Sequence, residues 1–175
     1  MRLLFAAVLL IPTTASAVTP AQVAVAKLAA EIERQQMAIE RTGALVNEGH
    51  KDDAKGEADT ARTNCTDPES LYYGDLNYVG GTGQTTIGDD ATDRVLPDLG
   101  AHANRAQSDQ EYQAALAADA AGNLVAALAG YEAAETRAQF ATADYVAAKN
   151  AYFTAAVKYN DAMLWYEAGS MGGLP

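Results

Sequence analysis

Cysteine and histidine are nearly missing from this chain: one cysteine, Cys65, and two histidines, His50 and His102, in 175 residues. A lone cysteine cannot pair within its own chain, which excludes an internal disulfide framework. Three readings stand for Cys65: a free, partly buried thiol, an intermolecular disulfide linking two copies, or a metal-ligand or nucleophile role. Each histidine lies in a polar stretch with no second histidine or cysteine three or four residues away, so neither shows the spacing of a zinc site. There is no nucleophile elbow, phosphate-binding loop or paired-cysteine motif, and the glycines at 80–83 form too short a run to cradle a phosphate. The sequence therefore assigns no catalytic residue, no cofactor-binding residue and no metal ligand, and an enzyme is not expected. Positive charge is also scarce. Twelve Lys and Arg stand against 23 Asp and Glu, a formal net charge of −11, which argues against nucleic acid or an anionic membrane as partner.

Long apolar runs are absent too. The nine apolar residues at 3–11 fall well short of the roughly 20 needed to span a bilayer, and no membrane span is expected in the mature chain. That run follows a basic start, Met1-Arg2. It is broken by Pro12-Thr13-Thr14 and ends in Ala15-Ser16-Ala17, which together make the three parts of a secretory signal peptide. The expectation is cleavage after residue 17 and export of a single domain, residues 18–175, to the periplasm or beyond the cell. No cysteine follows the cleavage point, so a lipid anchor is not expected.

What the chain has in abundance is alanine in register. Ala120, Ala127, Ala134, Ala141, Ala148, Ala155 and Ala162 are seven residues apart without a miss. Residues 101–168 hold 24 alanines in 68 positions, so composition alone yields seven of seven in one frame with a chance of about 0.06%, or about half a per cent over all seven frames. Periodicity is the better explanation. A second row precedes each alanine by three: Ala117, Leu124, Tyr131, Ala138, Tyr145, Tyr152 and Tyr159, continued by Tyr166. A small residue at every seventh position lets two helix backbones approach closely, and a strict seven-residue repeat implies left-handed supercoiling. The expected interaction seam is Leu124, Tyr131, Ala134, Ala141, Tyr145, Ala148, Tyr152, Ala155, Tyr159, Ala162 and Tyr166. Whether the helix it grips belongs to the same chain or to another copy is open at this level. Val146, Phe153, Val157, Leu164 and Trp165 lie beside the seam and widen the apolar face.

The remainder is organised around it. Thr19-Pro20 is a fitting N-cap and first position for a helix over about 20–48, whose own heptad row is Val25, Ile32, Ile39 and Val46 with Leu28, Gln35 and Thr42 between. That row is expected to cover part of the alanine–tyrosine face. Residues 49–70 are polar and charged, and read either as an extension of the first helix or as loop. Short β-prone runs at 71–74 and 76–79, a glycine turn at 80–83 and a returning segment at 84–87 suggest a small β-hairpin within an insert ending near residue 100. The acidic stretch with Asp89, Asp90, Asp93 and Asp98 reads as solvated loop, with Ca²⁺ binding as the alternative; it lacks the regular spacing of a calcium loop. Helices are expected over about 101–168: a first to about Ala121, where Gly122-Asn123 can end it and cap the next, and the unbroken register favours one very long helix or two stacked nearly in line, followed by a flexible tail at 169–175.

Gly122, Asn123, Ala127, Leu128, Tyr131 and Ala134 are also spaced as in the second helix of a tetratricopeptide repeat. The resemblance covers at most residues 108–156, lacks the usual proline between repeats, and implies a helix break before the next repeat. The fold expected from the whole is mainly α: a long antiparallel helical hairpin or a small helix bundle. The function expected is an exported structural or interaction protein acting through helix–helix association, with protein partners by self-association or within a bacterial envelope assembly. A periplasmic module holding a peptide or other client is the alternative.

Overall fold

The computed structural model describes residues 17–78 and 100–171, and all the regular structure in them is helical. Helix α1 is Pro20–Asn64, α2 is Pro68–Asn77, α3 is Ala101–Ala120 and α4 is Leu124–Ser170. Thr19 caps α1 through a capping box with Gln22, and Pro20 occupies the first turn. Asp67 caps α2 by accepting from Ser70 N at 2.8 Å, with Pro68 next to it. Between α3 and α4 the chain reverses in a Schellman turn. Gly122 there takes φ +74°, Asn123 N donates to Ala118 O at 2.9 Å, and the Asn123 side chain caps α4.

Helix α4, 47 residues and about 70 Å long, is the spine. Its N-terminal third packs on Val23, Ala26 and Ala30. Its middle packs on Met37 and Ala44. Its last third packs on Ala54, Ala58, Ala61 and Cys65. The order is the same in both chains of contact, so α1 and α4 run parallel. The third side is covered by two short helices that run the other way. Ala115 of α3 meets the N-terminal part of α4 and Ala101 its middle. Gly74 of α2 lies under Tyr166, and Tyr78 reaches Tyr159. The molecule is a three-helix bundle whose descending member is split into α2 and α3.

The bundle is thus the architecture found, and the long helices are not an antiparallel hairpin. Parallel neighbours need a return crossing, and α2 and α3 supply it. Residues 71–77 are the body of α2 instead of a strand. Asp67-Pro68 starts a helix there, and Gly74 lets it sit against an aromatic ring. The rest of the expected hairpin, residues 79–87, and the four aspartates at 89–98 lie outside the described residues, as do residues 1–16 of the expected signal sequence. The polar stretch after residue 48 continues α1, because Lys51, Ala54, Ala58 and Ala61 prolong its buried face. Residues 101–120 do not stack in line with α4 but fold back on it, and Ala117 and Ala120 are exposed; their match to the heptad frame has no counterpart in packing. Helix α4 runs unbroken to Ser170, so the interruption that a tetratricopeptide repeat requires is not there, and Gly169, expected in the tail, is a buried helical residue.

Candidate interaction surface

The alanine–tyrosine seam is fully occupied within the chain. Ala134, Ala141, Ala148, Ala155 and Ala162, with Tyr131, Tyr145, Tyr152, Tyr159 and Tyr166, are all buried against α1, α2 and α3; Leu124, at the end of the helix, is partly buried. Close approach is real along it: a Cβ added at Gly130 would lie 2.9 Å from Ala115 Cβ.

Buried phenols need partners, and the neighbouring helices provide them. Tyr166 donates to Asp75 Oδ1 at 2.7 Å. Tyr152 donates to Glu48 at 3.3 Å, and Tyr145 shares a 3.3 Å contact with His102 Nδ1. Tyr131 makes a long bond, 3.4 Å, to Asp119. Two tyrosines outside the seam repeat the pattern: Tyr112 donates to Glu31 at 2.5 Å and Tyr78 to Asp59. Burial and the accepting carboxylates push the Tyr78 and Tyr112 hydroxyls up to about 12; burial also raises Tyr131 and Tyr166, helped by Asp119 and Asp75. At Asp75, burial works against the charged form, but hydrogen bonds from Arg62 and Tyr166 outweigh it and the carboxyl stays below its ordinary value. Lys55 and Tyr78 do the same for Asp59. These rungs tie the helices in one register.

Cys65 is buried at the end of α1. Its thiol lies 3.7 Å from Asp67 O, and a Cβ on Gly169 would come within 2.5 Å of its sulfur. Among the described residues no three His, Cys, Asp or Glu side chains gather as a metal site, and no helix is long and apolar enough to cross a membrane.

The first helix departs from expectation. Its buried row is Val23, Ala30, Met37, Ala44, Lys51, Ala58 and Cys65, seven apart and alternating larger with smaller residues. The row expected to face the core points outward: Val25 is 70% exposed, Ile32 55%, Ile39 62% and Val46 50%. The reason is space. A face already filled by tyrosines takes alanines opposite it, with larger residues only between, and an unbroken row of β-branched side chains does not fit. Lys51 hides the true row from a hydropathy reading. Its side chain is 2% exposed, yet its ammonium lies 3.1 Å from Asp52 and 5.3 Å from the centre of the Tyr152 ring, so a buried stem carries a satisfied head. Phe153, Val157 and Leu164 of α4, expected to be covered, are exposed as well; Trp165 stacks on Tyr73 at 4.8 Å.

On the side of α1 away from α2 and α3, the α1/α4 boundary opens at its two ends and is bridged between them, where Lys149 lies over Gly43 and pairs with Glu40. Near its N-terminal end an open cleft of about 480 Å³ is formed by Val25, Ala29 and Leu128, with Glu132 and Glu135 on the rim. Near the other end a cleft of about 850 Å³ is bordered by Asp52, Asp53, Glu57 and Glu167, with Met163 among its walls. No family model, curated protein or solved structure matches this chain.

Proposed function

We propose that this protein is an exported structural or interaction subunit that works by helix–helix association, most simply as a component of a bacterial cell-envelope assembly such as a secretion apparatus, pilus or filament. The observation that carries the reading is the exposed column Val25, Ile32, Ile39 and Val46. Single exposed apolar residues are ordinary, but four at heptad spacing on one helix form half of a coiled-coil seam. The alanine–tyrosine seam supports the reading in another way. It is satisfied internally, so it makes a stiff rod and leaves the outer face for partners. Export rests on the N-terminal sequence. In this reading the protein binds and does not catalyse.

A photo-crosslinking residue at Ile39 tests it in the envelope fraction of a producing bacterium. The expected result is one adduct of fixed mass whose cross-linked peptide maps to a helix; absence of any adduct would refute the reading. Many unrelated adducts would instead favour a module that holds extended clients, a second reading that the open apolar cleft beside Val25 supports. Mass spectrometry of the exported chain tests the address: its N-terminus should be Val18.

A further inference from the structure

The exposed column of α1 lies between two acidic-edged clefts, and that charge narrows what can lie against it. We infer that this face of α1 receives an amphipathic helix of a different chain, with lysine or arginine flanking an apolar seam. The inference rests on the helix-association reading and adds the partner's chemistry. The α1/α4 boundary opens in two clefts with acidic edges, and between them Lys149 of α4 lies over Gly43 and pairs with Glu40, so the acidic edges are those of the two ends. At one end Val25 and Leu128 line a cleft together with Glu132 and Glu135. At the other, Asp53, Glu57 and Glu167 border the cleft. Between the ends the column continues through Ile32, Ile39 and Val46, all more than a third exposed. Val25 to Val46 spans about 32 Å along the helix, the length of three heptads.

A second copy of this chain is a poor occupant. It would bring its own apolar column, but also its own acidic edges. Packed parallel, acid meets acid at both ends. Packed antiparallel, Glu132 and Glu135 of one copy meet Asp53 and Glu57 of the other. Like charges across an interface oppose association, and the chain as a whole carries −11. A helix with basic residues at the positions flanking its seam reverses each of those terms, as flanking charges do in coiled-coil pairing.

The experiment uses the chain from residue 18 and two synthetic peptides of about four heptads. Both carry leucine at the seam positions; one has lysine and the other glutamate at the flanking positions. Fluorescence anisotropy should show the lysine peptide binding at least about tenfold more tightly than the glutamate peptide, and weakening as salt rises. The double variant Ile32→Ser, Ile39→Ser alters only exposed side chains and should keep the far-ultraviolet circular dichroism while losing about tenfold or more in affinity for the lysine peptide. Equal binding of the two peptides, unchanged binding by the double variant, or no binding overturns the inference. Sedimentation of the chain alone separates this from the broader reading. A dimer that the double variant abolishes would overturn the basic partner and leave helix association standing. A monomer that binds neither peptide would count against both.

Discussion

Replacing Gly74 by alanine and replacing Gly56 by alanine are the same chemical change with opposite expected signs. Both glycines are inside helices, where alanine is favoured by about 1 kcal/mol. At Gly56 an added Cβ meets nothing within 4 Å, so that gain is realised. At Gly74 the Cβ would fall 2.3, 2.6 and 2.8 Å from three carbons of the Tyr166 ring, against an ordinary carbon–carbon contact of about 3.5–4.0 Å. The ring is fully buried and its hydroxyl is bonded to Asp75, so it has no open side to move into. Overpacking of this kind costs about 1–3 kcal/mol. Pulling the hydroxyl from its carboxylate costs about 1.5–3 kcal/mol more. After the propensity gain, Gly74→Ala should destabilise by about 2–5 kcal/mol, or roughly 5–15 °C in melting temperature for a chain of this size. Gly56→Ala should raise it by about 2–4 °C. Circular dichroism at 222 nm reads the melt. Trp165, the single tryptophan, reads α2 directly, because it stacks on Tyr73 of that helix. If α2 yields by lifting off, tryptophan emission shifts before the main transition. A Gly74→Ala protein with parental melting temperature and parental emission would refute the placement of α2 under Tyr166.

Other perturbations test the remaining contacts. Ala148→Leu, at a fully buried seam position, should cost about 1–3 kcal/mol, while Ala147→Leu on the exposed side should stay within about 0.5 kcal/mol; equal melting temperatures would refute the close seam. The carboxyls of Asp59 and Asp75 are lowered in the folded state. Their contribution is therefore present above the unfolded value of about 3.9 and lost as pH falls below it; Asp75→Asn should flatten that acid limb in urea titrations. Tyr78 and Tyr112 are raised to about 12, so their contribution is intact below about pH 10 and lost as pH rises from there toward 12. Absorbance at 295 nm should show late-ionising tyrosines in the native protein that titrate near 10 in urea. Cys65 should react slowly with a thiol reagent until denaturant is added; immediate reaction of the native chain would show that the end of α1 is not covered as described.

The α4 packing was legible in sequence because it is overdetermined. One row is alanine at every seventh position from Ala127 to Ala162, and the other is tyrosine at every seventh position from 124 to 166 except Leu124 and Ala138. The α1 packing was not, because hydropathy favours the wrong row. Val25, Ile32, Ile39 and Val46 are more apolar than a row containing Lys51, yet the latter is buried. Which row turns inward depends on the volume of what faces it, and that is a property of α4. The reversal at Gly122 was hidden for a related reason: the heptad frame passes through the turn by composition, and only the left-handed glycine followed by a capping asparagine marks it.

Local capping, propensity and period were enough to set the long helices, the start of α1 and the small-residue face of α4. The parallel course of α1 and α4, the closure of the tyrosine seam within one chain and the outward turn of the apolar row of α1 came from packing between segments far apart in the chain. Those outcomes turn on fitting one helix face against another, where steric volume and hydrogen-bond partners from distant segments outweigh the hydropathy of either segment alone.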